Sequence, residues 1–158
     1  MKKRMILCLM ACLFAFQLQA QEIYNEVLRI KNSLEAIAND ANRDMQTRKV
    51  ACFKNDAIYY LIEKASKEDK FTEYELGEQT TAMIDFVNLF VERLSGSKKE
   101  KDKDIVLARF KSASVEHSLF NDMEKEVTYG YVDNQDFITQ FSLDTNWVEA
   151  LSEVNRAR

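Results

Sequence analysis

Few residues in this 158-residue chain have the types and spacing that chemistry needs. His117 is the sole histidine, so a Ser-His-Asp or Cys-His site could be written only around it. No serine or cysteine sits in a nucleophile-elbow setting such as G-x-S-x-G, which leaves hydrolase chemistry of that type weakly supported. A tetrahedral zinc site needs several histidine or cysteine ligands, more than the chain offers without help from carboxylates, so no metal and no cofactor is expected. Phosphate-loop, dinucleotide-binding, calcium-loop and H-E-x-x-H patterns are all missing from the sequence.

Paired carboxylates are the remaining catalytic option. Asp56 with Glu63 and Glu124 with Glu126 have the spacing of ordinary solvated acids, and such pairs inform only where burial shifts their titration. His117 itself falls on the apolar face of its expected helix, the usual place of a satisfied boundary residue rather than of a ligand. If buried there, its second nitrogen requires a partner that the sequence does not name.

Five aromatics, Tyr129, Tyr131, Phe137, Phe141 and Trp147, concentrate in the last third of the chain. Rings give large contact area at small entropic cost, so this cluster is the candidate ligand or partner surface; the alternative is that it folds back over a helical core. Cys52 and His117 are the weaker site candidates.

These residues need elements to position them, and the composition favours helices: there is no proline and there are three glycines, too few for a sandwich that turns every eight to twelve residues. At the N-terminus, Lys2, Lys3 and Arg4 precede twelve apolar residues, Met5 to Phe16, and a polar stretch ending at Ala20. Such a run reaches only about 18 Å as a helix against a hydrocarbon core of about 30 Å. It reads as a signal peptide, residues 1–20, cleaved after Ala20, with Leu18 at −3 a less ideal cleavage residue. Leu9-Met10-Ala11-Cys12 loosely resembles a lipobox, the less favoured alternative, because a start at Cys12 would strand Leu13 to Phe16 in the mature protein.

Cleavage after Ala20 leaves 138 residues, 21–158, enough for one helical domain. Losing Lys2, Lys3 and Arg4 moves the net charge from −4 to −7, which argues against nucleic-acid binding. Cys8 and Cys12 leave with the signal, so Cys52 remains without an intramolecular partner.

Along residues 21–158, Ile23, Val27, Ile30, Leu34, Ile37 and Ala41 form a seam of steps of four and three, under three heptads long. Asn39 to Asp44 marks the turn that follows. A second helix over about 46–65 places Val50, Phe53, Ala57, Ile58, Tyr60, Leu61 and Ala65 inward, with Cys52 and Tyr59 nearly opposite. Inert packing is nonetheless the commoner fate of a free cysteine.

The clearest element runs from Phe71 to Gly96. Thr72 and Glu75 have capping-box spacing, Phe71 and Leu76 that of a hydrophobic staple, and Gly96 stands where a left-handed terminator is expected. Its apolar arc covers about 160°, wide enough for two or more neighbours, and Glu78, Asp85 and Glu92 form an acidic ridge outside it. Lys98 to Asp104 is a mixed charge run, a solvated lead into a fourth helix from about Asp102 to Met123 with Ile105, Val106, Phe110, Ala113, His117, Phe120 and Met123 on its stripe. Val127 to Val132 reads as an extended connector, Asp133 to Phe141 as a short helix, and Trp147, Ala150, Leu151 and Val154 as the stripe of a last one.

The expected fold is therefore all-α: four longer helices and a shorter aromatic-rich C-terminal helical segment. The expected function is a non-enzymatic interaction or binding protein of a bacterial cell envelope, periplasmic or secreted, with a protein or small-molecule partner. Two other readings are a small carboxylate-dependent glycan or cell-wall hydrolase around His117, and a helical homo-oligomer joined through the seam from Ile23 to Ala41.

Overall fold

Thr72 starts the central helix as its sequence requires. Its hydroxyl accepts from the Glu75 N–H, and the Glu75 carboxylate accepts from the Thr72 N–H at 2.7 Å, completing the capping box. In the computed structural model, which describes residues 2–67, 71–119 and 141–156 and side chains from residue 21 onward, this is α3, Glu73–Gly96. The other helices are α1 (Lys2–Asn39), α2 (Met45–Lys67), α4 (Glu100–Glu116) and α5 (Trp147–Arg156). The all-α expectation holds, and α3 touches all four of the others, as its wide arc anticipated. Among the described residues, no helix is long and apolar enough to cross a membrane.

Polar side chains set the turn between α1 and α2. Asp44 accepts from the Thr47 N–H at 2.9 Å and its hydroxyl at 2.7 Å, capping α2 and holding the Asp44 carboxyl below its ordinary range. Asp40 is likewise lowered, first by the Asn42 N–H. Of the N-terminal seam, Val27 is buried and Ile30 and Leu34 pack on the core, whereas Ala41 lies beyond the helix end and is exposed. Ile23 and Ile37 are only half-buried.

The core is aromatic. Phe86 stands 5.0 Å from Phe110, 5.3 Å from Phe141 and 5.5 Å from Trp147, and Phe90 stands 4.9 Å from Phe141, all edge-on. Each such pair contributes about 0.5–1.5 kcal/mol beyond its area. Phe53 of α2 meets the same two C-terminal rings.

Three local expectations require correction. Gly96 is the last residue of α3 and is not left-handed; Ser97 closes the helix through its N–H to the Arg93 and Leu94 carbonyls and its hydroxyl to Arg93. Ile105 is largely exposed rather than on the α4 stripe. Helix α4 ends at Glu116, seven residues before Met123, because the chain turns to pair with the segment before α5: Ser118 bridges Thr145 in antiparallel sense, and the Asn146 N–H donates to the His117 carbonyl at 2.7 Å. The expected connector at 127–132 and most of the short helix at 133–141 lie outside the described residues.

Candidate functional site

Helix α5 is clasped at both ends, and this fixes one wall of an extended, largely apolar groove. Gln79, buried in the α3 arc, uses both ends of its amide: its Nε2 donates to Asn146 Oδ1 at 2.9 Å and its Oε1 accepts from the Trp147 N–H at 2.7 Å. Asn146 in turn accepts from the Glu149 N–H, capping α5. At the other end Arg93 and Arg109 both donate to the Val154 carbonyl, at 3.1 and 2.9 Å. Beneath α5, the buried Ser114 hydroxyl lies 2.8 Å from Thr145 Oγ1 and accepts from the Ser142 N–H.

The groove so framed lies between α1, α3 and α5 and has a volume of about 790 Å³. That is within the roughly 300–1,000 Å³ of ligand-binding clefts. Ile23, Val27, Ile30, Ala82, Val148 and Leu151 supply its apolar lining, and Glu22, Glu26, Glu78 and Asp85 its charge. All four charges are acidic. Glu26 is already paired with Arg29, through two hydrogen bonds of 2.8 and 2.6 Å. Glu78 accepts from Tyr74, which pushes that phenol above its ordinary value. Thr80 is fully buried in the groove lining, and its hydroxyl has no hydrogen-bond partner among the described residues. A buried hydroxyl left unpaired costs about 1–3 kcal/mol.

Gly77 lies against Ile23 across the two long walls. A Cβ at this position would lie 2.8 Å from Ile23 Cγ2, so only glycine lets α1 and α3 meet here without displacement.

The second candidate surrounds His117. At the C-cap of α4, its Nε2 is hydrogen-bonded to Glu153 and its Nδ1 lies 3.3 Å from Glu149, beside a cleft of about 500 Å³. These two acids, one turn apart on α5, are the partners the sequence did not name. Both are substantially exposed, and both ring nitrogens are engaged, so neither is turned toward a substrate. Among the described residues, no group of three or more His, Cys, Asp or Glu side chains could hold a metal ion.

The remaining candidates separate. Phe141 and Trp147 are wholly buried among Phe53, Phe86 and Phe90, so they belong to the core and present no surface; the ring packing of α3 requires them there. Tyr129, Tyr131 and Phe137 lie outside the described residues. Cys52 is exposed, as its position opposite the α2 core face implies, and not packed inert in the core. Partial burial and the nearby Asp56 raise its thiol above the ordinary value, which disfavours the nucleophilic thiolate.

Sequence reasoning passed over Gln79, Thr80 and Gly77. The signal for Gln79 was available: it lies between Leu76 and Met83 at core-facing spacing, a polar residue in the middle of an apolar arc. No protein family, no curated protein and no solved structure matches this chain.

Proposed function

We propose that this protein is an exported, non-enzymatic helical binding protein of a bacterial cell envelope, and that the groove between α1, α3 and α5 is its binding site. The groove carries the reading: it joins an apolar lining to acidic walls and an unpaired buried hydroxyl, and its α5 wall is held rigid by side chains from α3 and α4. Export is supported by Lys2, Lys3 and Arg4 ahead of the apolar run Met5 to Phe16.

A hydrolase built on His117 is the second reading, favoured by the cleft in which the ring stands between Glu149 and Glu153. It is the weaker one, since the ring spends both nitrogens in joining the end of α4 to α5. A homo-oligomer joined through the seam is a further reading; Val27, Ile30 and Leu34 of that seam pack against the chain's own core, while Ile23 and Ile37 are only half-buried.

The test is binding of the neutral dye Nile red. The groove reading expects enhanced emission that is lost in Val148→Asp, a change at an exposed lining residue that leaves circular dichroism unaltered. Emission unchanged by Val148→Asp would place any apolar site elsewhere.

A further inference from the structure

We propose that the groove receives a cationic amphipathic helix of a partner protein, its apolar stripe on Ile23, Val148 and Leu151 and its lysines or arginines against Glu22, Glu78 and Asp85. This identification of the partner rests on the reading of the groove as a binding site.

Three observations carry it. The first is charge: four acids and no basic residue line the groove, on a chain of net charge −4. Glu26 is compensated by Arg29 and Asp85 faces the ammonium of Lys54, whereas Glu22 and Glu78 are exposed and make no ion pair within the salt-bridge distance among the described residues. A cation from outside is the complement these walls lack. The chain's own stretch from 120 to 140 is the wrong occupant, as it carries five acids and one lysine.

The second is shape. The α1 wall contributes residues from Glu22 to Ile30 and the α3 wall from Tyr74 to Asp85. At 1.5 Å per residue these walls are about 12 and 16 Å long, so they match a two- to three-turn helix lying along them. A compact ligand would leave part of such a trough empty. The third is the Thr80 hydroxyl, buried in the lining with no partner among the described residues, a polar atom that a polar group at the edge of the incoming stripe would complement.

The experiment titrates the full chain by calorimetry with two synthetic peptides of about 14 residues, about 21 Å as helices. One has leucine at helical spacing with lysine on the other face; the other carries glutamate in place of lysine. Salt is held near 0.05 M, where charges separated by about 10 Å still interact. The lysine peptide is expected to bind and the glutamate peptide not. Glu78→Lys with Asp85→Lys is expected to weaken the lysine peptide by at least about tenfold and to transfer binding to the glutamate peptide, with unchanged circular dichroism; two exposed contacts reversed in sign suffice for this. Equal binding of both peptides, or lysine-peptide affinity indifferent to the double reversal, overturns the proposal. So does binding of dodecylamine without the lysine peptide, which would give the groove to a small amphiphile. If the lysine peptide fails while Nile red still binds in a Val148-dependent way, the partner assignment falls and the binding site stands. If both fail, the reading of the groove falls with it.

Discussion

Gln79→Ala is predicted to unlatch α5 from the rest of the fold. The side chain makes two hydrogen bonds across 67 and 68 residues of sequence, to Asn146 Oδ1 and from the Trp147 N–H. Two such bonds contribute about 2 kcal/mol net, and the Trp147 N–H, left buried without an acceptor, adds part of a penalty of about 1–3 kcal/mol. A loss of about 2–3 kcal/mol in urea unfolding is therefore expected, with amide exchange accelerating first at Trp147 to Ala150. Gln79→Glu separates the two bonds. A carboxylate still accepts from Trp147 but cannot donate to Asn146, and burial raises the pKa of the introduced acid above its unfolded value. The stability of that variant should consequently rise as pH falls through the raised folded pKa, because the protonated acid can donate again. A Gln79→Ala loss below about 0.5 kcal/mol, or exchange unchanged at α5, would refute the clasp.

Gly96→Ala is expected to stabilise the fold by about 0.5–1 kcal/mol, since nothing lies within 4 Å of the added Cβ; Gly77→Ala should destabilise by about 1 kcal/mol and be partly rescued by Ile23→Ala, because its Cβ meets Ile23. Equal, favourable effects in thermal unfolding would mean that α1 does not approach α3 at Gly77. Burial lowers the pKa of Lys54, which donates to the exposed Asn88, so Lys54→Met should gain about 1 kcal/mol at pH 7. The unfolded lysine holds its proton to higher pH than the folded one, so wild-type stability should rise relative to Lys54→Met as pH rises from the folded pKa toward 10.5; a gap independent of pH contradicts this. Expressed in a Gram-negative host, the mature protein should begin at Gln21 by intact mass; a lipidated start at Cys12 or a retained Met1 would refute the export reading.

What the sequence disclosed was local. The capping box of Thr72 and Glu75, the turn at Asp40 to Asp44, the wide arc of α3 and the exposure of Cys52 and Tyr59 depend on neighbours within one or two turns, where spacing determines contact. The end of α4 did not, because periodicity continues through His117 while the chain breaks to pair Ser118 with Thr145. The partners of His117 are 32 and 36 residues away, and those of Gln79 farther still, distances across which a single sequence carries no pairing information. Most instructive is the acidic ridge of α3. Glu78 and Asp85 look like a solvated face until α1 and α5 are placed beside them, and then they become a groove wall. Attention to the aromatic tail led instead to the core, where Phe141 and Trp147 are buried.

The most direct test is amide chemical-shift mapping of the full chain titrated with the leucine–lysine peptide. The groove assignment predicts shifts gathered at Glu22 to Ile30, Tyr74 to Asp85 and Val148 to Leu151, with His117 and Ser118 unmoved. Shifts centred on His117, Glu153 and Arg156, leaving α1 and α3 unperturbed, would contradict it.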